Sequence, residues 1–214
     1  MDKDIFEKIK AEVKKKLSGG DSCHEWEHTE RVYNLATHIG KKERADFEVL
    51  ELAAILHDIA RKEENESSGK IDHAKLGSVL AKDILERYGF SKEKIDAITH
   101  CIETHRYRKS KTPETKEAKI LYDSDKLDSI GAIGIGRAFS FAGRLGAKVH
   151  DKNIDIEKAK EYSADDSAYR EYLVKLRYLK DKMTTKEGKK IAKERHEFME
   201  QFFNRINKEV DGKL

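Results

Sequence analysis

Two ionisable residues directly follow an apolar segment of this chain. The segment reads Leu50-Glu51-Leu52-Ala53-Ala54-Ile55-Leu56, and His57 and Asp58 come immediately after it. An imidazole and a carboxylate both lose hydration when a helix buries them, so their presence together requires a compensating partner. A divalent cation is such a partner, and the pair therefore predicts a metal site.

Two further residues complete a predicted ligand set. His28 lies on the preceding predicted helix, and Asp125 lies far downstream. An HD dipeptide alone is more often a buried, hydrogen-bonded pair than a ligand pair, and these two residues make the metal interpretation the stronger one. Two nitrogens and two carboxylates leave room on the ion for water and a substrate oxygen. This mixed set suits Mn, Mg, Fe, Co, Ni or Zn, so one divalent ion is predicted without its identity.

A cation held in this way indicates hydrolysis. It can lower the pKa of bound water from about 15.7 to about 7, which provides hydroxide at neutral pH. Positive side chains near the ligand segments, Arg31, Lys126 and Arg137, favour a phosphorus centre over an acyl carbon, because they could clamp a phosphate. The predicted substrate is therefore a small phosphate ester.

The four predicted ligands resemble the H…HD…D pattern of the HD-domain superfamily of metal-dependent phosphohydrolases. The resemblance covers most of the chain and is carried by the segments Trp26–Val32, Leu56–Ile59 and Asp123–Gly134. It implies an all-α, HD-type helical bundle. The small bacterial and archaeal branch that these segments resemble is similar to nucleotide pyrophosphohydrolases, which split nucleoside triphosphates between the α and β phosphates. We therefore expect a nucleoside triphosphate pyrophosphohydrolase.

The resemblance also implies roles for later residues. His73 and His105 sit where two-metal members of the family place additional ligands. Because the small branch is similar to one-metal members, we expect one ion, with a second ion as the alternative. His73 and His105 then act as hydrogen-bond donors or proton carriers facing the phosphates. With Asp58 and Lys126, they form the predicted catalytic set.

Four residues are predicted to bind substrate: Arg31, Glu63, Asp128 and Arg137. Glu63 is a candidate for aligning water. It follows the HD pair at a spacing that departs from the (p)ppGpp hydrolases, which argues against an alarmone substrate. Asp128 either positions a ligand or substrate hydroxyl, or merely pairs with Lys126 or a nearby base at the surface. Gly131, Gly134 and Gly136 follow a predicted helix, so close helix packing explains them better than a dinucleotide-binding loop does.

Other functions remain open at this point. Within hydrolases, the alternatives are a phosphomonoesterase and a cyclic-nucleotide phosphodiesterase. A non-catalytic regulatory module that binds metal and nucleotide is the alternative from another class. Nucleic-acid binding is not expected, since 44 basic and 41 acidic residues are interspersed and the net charge is only +3.

The elements that must position these residues are predicted to be helices. Proline occurs once among 214 residues, and charged residues make up 40% of the chain. We expect a single domain over residues 1–214, with the metal-site core at about 20–140 and bracing helices at about 165–210.

Several helix boundaries can be predicted. A Ser22–Glu25 capping box begins a helix that stops at Gly40, and residues 46–60 form a central buried helix carrying His57 and Asp58. Residues 61–70 form a loop, helices start after Asp72 and Ser91, and residues 143–165 lack a pattern. Near the C-terminus, Thr184 or Thr185 caps a helix. The predicted core face of that helix consists of Ile191, Phe198, Met199, Phe202, Phe203 and Ile206.

The sequence suggests a cytoplasmic protein. We see no apolar run long enough to span a bilayer and no secretory signal pattern, so no membrane partner is expected. Cys23 and Cys101 have no paired spacing, which favours a reducing compartment. His38, His150 and His196 lack clustered acids and are predicted to lie at the surface. The oligomeric state has no sequence signal.

Overall fold

A computed structural model describes residues 2–18, 26–106 and 111–214, and every regular element in these ranges is helical. The all-α prediction is confirmed. By its internal contacts the chain divides into two compact units, Met1–Asp125 and Lys126–Leu214. None of the described helices is long and apolar enough to cross a membrane. The single-domain organisation stays a prediction.

The first unit consists of helices packed around one apolar helix. Its elements are α1 (Lys3–Leu17), α2 (Trp26–Glu43), α3 (Phe47–Leu56), α4 (Arg61–Glu66), α5 (His73–Arg87), α6 (Lys92–Thr104) and most of α7 (Lys116–Leu127). The side chains of α3 are buried from Leu52 to Leu56, as predicted for the central helix. Helices α1, α2 and α6 pack against α3, and α5 packs against α4 and α6. This core holds the ends of α3 and α6 near each other.

The α3 helix is shorter than predicted. It begins after Asp46, whose carboxylate accepts hydrogen bonds from the backbone N–H groups of Glu48 and Val49. It ends at Leu56, so His57 is the C-cap residue and Asp58 lies in the following turn. The prediction that both residues lie within a helix over 46–60 is therefore wrong. Because the chain turns here, the two side chains are freed from the fixed angular spacing of a helix.

Other boundaries also differ from the predictions. Helix α2 continues through Gly40 to Glu43, and a Cβ atom at Gly40 would lie 2.5 Å from Leu50 Cδ2. This glycine therefore permits close packing of α2 on α3 and does not stop the helix. The predicted loop at 61–70 contains α4. The caps at Asp72 and Ser91 are confirmed, whereas the Ser22–Glu25 capping box lies outside the described residues.

The second unit is built on the long C-terminal helix. Its elements are α8 (Gly131–Arg144), α9 (Ala168–Val174), a 3-10 helix (Leu176–Lys182) and α10 (Lys186–Val210), and α10 packs against α8 and the 3-10 helix. Residues 145–167, close to the predicted patternless stretch, have no regular secondary structure. The Thr185 cap is confirmed. Phe198, predicted to be in the core, is 49% exposed, while Met199 and Phe203 are buried.

Candidate metal centre

The first unit brings His28, His57 and Asp125 together. His28 Nε2 lies 3.4 Å from His57 Nε2 and 3.5 Å from Asp125 Oδ1. One ligand atom from each residue lies within 4.8 Å of the other two. Ligands held about 2.1 Å from one ion stand about 3.0–3.4 Å apart at bond angles of 90–109°. These three residues, the first ligand group, thus have the spacing of a metal site.

A second ligand group lies beside the first and consists of Asp58, His73 and His105. His73 Nε2 is 3.1 Å from Asp58 Oδ1 and 3.2 Å from His105 Nε2. His105 Nε2 is 3.6 Å from the same Asp58 oxygen, and all three side chains are buried. His73 and His105 are therefore placed as potential metal ligands, whereas the sequence favoured them as donors to the phosphates.

Asp58 lies between the two groups. Its Oδ1 atom faces His73 and His105, and its Oδ2 atom is 3.6 Å from His28 Nε2 and 3.7 Å from His57 Nε2. Each oxygen of this carboxylate therefore faces a different ligand group. Asp58 takes this position in the turn that follows α3.

Hydrogen bonds on the far side of the imidazole rings orient two of the histidines. His57 Nδ1 lies 2.8 Å from the Ala54 carbonyl oxygen, and His105 Nδ1 lies 2.6 Å from the Ile102 carbonyl oxygen. A carbonyl oxygen only accepts, so Nδ1 carries the proton in both rings. In the neutral imidazole Nε2 then presents a lone pair to the site.

His73 is oriented by a carboxylate instead. Its Nδ1 atom lies 2.8 Å from Glu64 Oε2. Glu64 also accepts from Arg61, at 2.6 Å, and from Arg106. Burial alone would raise the pKa of Glu64, but the hydrogen bond from Arg106 and the nearby positive charges lower it to about 2. Glu64 is therefore ionised. His73 Nδ1 also lies 2.9 Å from Arg106 Nη1 and 3.2 Å from Arg61 Nη1, and Glu64 is the acceptor among these groups.

The donor set fits a divalent cation. His73 Nε2 and His105 Nε2 converge with Asp58 Oδ1, a set of two imidazole nitrogens and a carboxylate oxygen that a divalent cation can bind. Burial lowers the pKa of His57 to about 4, against the opposing charge of Asp58. Burial also opposes ionisation of Asp58, but Arg61 and His57 hold its pKa well below the usual range. Neutral imidazoles and charged carboxylates are the protonation states that metal binding requires.

All six residues of the two ligand groups, which could hold metal ions, fall within the part of the chain that matches a known family. The family model described as HD domain matches residues 26–130. The chain belongs to the HD-domain superfamily. It is accordingly a metal-dependent hydrolase.

Several relatives resemble this HD-domain hydrolase over nearly its whole length. The uncharacterized protein YpgQ of Bacillus subtilis is 37% identical over 211 residues, which are 96% of this chain and 94% of YpgQ. A crystal structure of YpgQ in complex with ADP is similar with a TM-score of 0.75 at 33% identity, covering 96% and 95% of the two chains. An HD-superfamily hydrolase from Bacillus thuringiensis gives a TM-score of 0.78 at 29% identity, covering 99% of each chain.

The predicted substrate-binding residues are distributed over both units. Arg31 is half-buried on α2, one turn beyond His28. Glu63 forms an ion pair with Lys16 on α1, 3.1 Å away. Their predicted roles in binding substrate stay predictions.

Three predicted site residues belong to the second unit. Lys126 follows Asp125 on α7, and Asp128 lies just beyond the end of that helix. The Asp128 carboxylate accepts a hydrogen bond from Arg137 Nη1 at 2.7 Å. Asp128 thus pairs with a base, but it is buried and not at the surface, where the second predicted alternative places it. The catalytic role of Lys126 and the substrate contacts of Asp128 and Arg137 stay predictions.

Sequence reasoning missed three charged residues that surround the second ligand group: Arg61, Glu64 and Arg106. Arg61 and Glu64 form an ion pair three residues apart on α4, directly after the HD pair. Arg106 immediately follows His105. The sequence does contain a signal for this pair, because a basic and an acidic residue three positions apart are typical of a helical ion pair. The segment 61–70 was predicted to be a loop, so this spacing was not used.

Proposed function

We propose that this HD-domain hydrolase cleaves nucleotides, and that it is a nucleoside triphosphate pyrophosphohydrolase. The observation that carries the proposal is the position of Asp58 between two groups of histidine and carboxylate ligands. Paired cations are a common means of stabilising the attacking and leaving oxygens in phosphoryl transfer. The crystal structure of the relative YpgQ in complex with ADP supports a nucleotide as the ligand.

We further propose two ions where the sequence favoured one. Each ligand group supplies three protein ligands, a number that leaves coordination positions open for water and substrate. Metal ions bound there would supply a water of lowered pKa and positive charge for the phosphate oxygens.

The charges of the first unit suit a polyphosphate once cations are bound. The charged side chains around the two ligand groups are three carboxylates and two arginines: Asp58, Glu64, Asp125, Arg61 and Arg106. Their net charge is therefore slightly negative. Two divalent cations would make the site strongly positive. Arg61 Nε lies 3.4 Å from Asp58 Oδ2, so this guanidinium also holds the bridging carboxylate in place.

The protein's own groups have defined tasks in this proposal. The Ala54 and Ile102 carbonyl oxygens hold the His57 and His105 rings with Nε2 directed inward. Asp58 keeps negative charge between the two groups, which sets their separation. These contacts place the ligands before substrate arrives, so little reorganisation is needed during the reaction.

Product analysis tests the proposal directly. Metal-loaded protein is incubated with nucleoside mono-, di- and triphosphates and with cyclic nucleotides, and the products are identified by ³¹P NMR. We expect pyrophosphate and a nucleoside monophosphate from a triphosphate. Orthophosphate from a monophosphate would identify a phosphomonoesterase instead, and opening of a cyclic nucleotide would identify a phosphodiesterase. Tight binding without any product would favour the regulatory module. Elemental analysis of the same sample should find two ions per chain.

A further inference from the structure

The three histidines nearest Asp58 differ in what accepts their Nδ1 proton. His57 and His105 donate to backbone carbonyl oxygens. His73 Nδ1 lies instead among charged groups, 2.8 Å from Glu64 Oε2, 2.9 Å from Arg106 Nη1 and 3.2 Å from Arg61 Nη1. A guanidinium only donates, so Glu64 is the acceptor among these three groups. When His73 Nε2 binds a cation, its Nδ1 atom carries the proton, and Glu64 is placed to accept it and to offset the two guanidinium charges beside the ring.

Two arginines hold the Glu64 carboxylate in place beside His73. Arg61 Nη1 lies 2.6 Å from Oε2, and Arg106 donates to Oε1. The Glu64 side chain is only 8% exposed. Arginine bonds to both oxygens fix the carboxylate, and the two positive charges offset the cost of its burial.

We propose that Glu64 is a positioning residue that tightens metal binding by the second ligand group through His73. The first ligand group, His28, His57 and Asp125, depends on it far less, because the Ala54 carbonyl oxygen orients the His57 ring, whereas Glu64 contacts His73. The inference rests on the proposed two-ion site. It predicts that a substitution of Glu64 on α4 lowers the affinity for one ion much more than the affinity for the other.

A Mn²⁺ titration of the metal-free chain tests this, with free Mn²⁺ measured by electron paramagnetic resonance. Glu64→Gln keeps an oxygen that can accept from His73 but removes the charge. We expect one of the two equivalents to bind about 10- to 100-fold more weakly, and the other to change less than about twofold. The control is Glu51→Gln, since Glu51 accepts a hydrogen bond from the Tyr33 hydroxyl and should leave both equivalents unchanged.

A spectroscopic readout separates this effect from general damage. In Zn²⁺-loaded protein with ¹⁵N-labelled histidine, His57, His73 and His105 should each show an Nδ1 proton signal. Glu64→Gln should move the His73 signal upfield and leave the other two in place. A His73 signal that does not move would count against the proposed contact with Glu64.

The outcomes distinguish this inference from the proposed function. Unchanged affinity for both equivalents in Glu64→Gln overturns the inference, even if the wild type hydrolyses triphosphates. A selective loss of one equivalent supports it, even if no nucleotide is cleaved. A wild type that binds one ion, with an affinity that Glu64→Gln does not change, also overturns it. If Glu64→Gln fails to fold, Glu64→Asp keeps the charge but shortens the side chain and withdraws the carboxylate from His73. That variant must weaken the same equivalent, and unchanged binding in it contradicts the inference.

Discussion

The histidines of the two units have partners of opposite character. In the first unit His28, His57, His73 and His105 are buried among carboxylates. In the second unit His196 is also buried, 8% exposed, but its Nε2 accepts from the Lys180 ammonium group at 3.1 Å. His150 Nε2 lies 2.7 Å from the Asn207 side-chain oxygen.

This contrast shows that burial of an imidazole does not identify a metal site. An ammonium group already occupies the lone pair of His196 and would repel a cation, whereas a carboxylate attracts one. The prediction that His196 lies at the surface is wrong, and the Lys180 ammonium group, not an acid, lies within hydrogen-bond distance of its Nε2.

Asp58→Ala should have the largest effect. Removing the carboxylate shared by both groups should release the ions and lower nucleotide turnover by at least about a thousandfold, since several kcal/mol of stabilisation are lost at about 1.4 kcal/mol per tenfold. Steady-state kinetics measure the loss, and circular dichroism should show that the protein remains helical. His196→Ala is the matched control from the second unit. Parental activity of Asp58→Ala without metal would refute the mechanism.

Metal removal should destabilise the first unit. Free Mn²⁺ at about a hundred times its dissociation constant adds about 2.7 kcal/mol to the free energy of unfolding, because it binds only the folded chain. Thermal unfolding with Mn²⁺ and with a chelator measures the difference, which should vanish in Asp58→Ala. Hydrogen exchange should speed up at α3, α5 and α6. An equal increase confined to α10 would contradict the location of the site.

Glycines of the second unit allow a smaller structural test. A Cβ atom at Gly134 would lie 2.3 Å from the Ser129 carbonyl oxygen, whereas one at Gly136 would meet nothing within 4 Å. The close approach at Gly134 is to the turn that precedes α8 and not to another helix, so the helix-packing interpretation is wrong for Gly134 and for Gly136. Gly134→Ala should cost about 2 kcal/mol of unfolding free energy, and Gly136→Ala should add about 0.5–1 kcal/mol. Urea unfolding measures both, and metal binding should be unchanged in both variants.

The pH dependence of His196 should give the smallest effect. Burial and the charge of Lys180 lower its pKa in the folded state, so the unfolded chain takes up a proton more readily. The free energy of unfolding should therefore fall as the pH drops below 6.5, the ordinary value. Urea unfolding of metal-free protein at several pH values measures this. Lys180→Met should flatten the dependence, and an equal slope in both proteins would contradict the assignment.

The candidate ligands that the sequence could identify are ionisable residues beside an apolar segment, or residues at the spacing of the HD pattern. His57 and Asp58 follow an apolar run, and His28 and Asp125 complete a spacing that resembles the HD pattern. The helical class follows from composition and periodicity, which report average burial along one element. Helix α3 was correctly predicted as central for the same reason. Its end at Leu56 was not predicted, because an apolar pattern does not show where the chain turns.

The sequence by itself determined the residue types that can hold a divalent cation and the helices that carry them. Only the tertiary structure decided that Asp58 stands between two ligand groups and that Glu64, Arg61 and Arg106 lie behind His73. The physical reason is that periodicity describes each helix separately. A charged residue on α4 contacts either solvent or a histidine on α5, depending on how those two helices pack. The amino-acid sequence of a polar segment is the same in both cases, so it does not distinguish them.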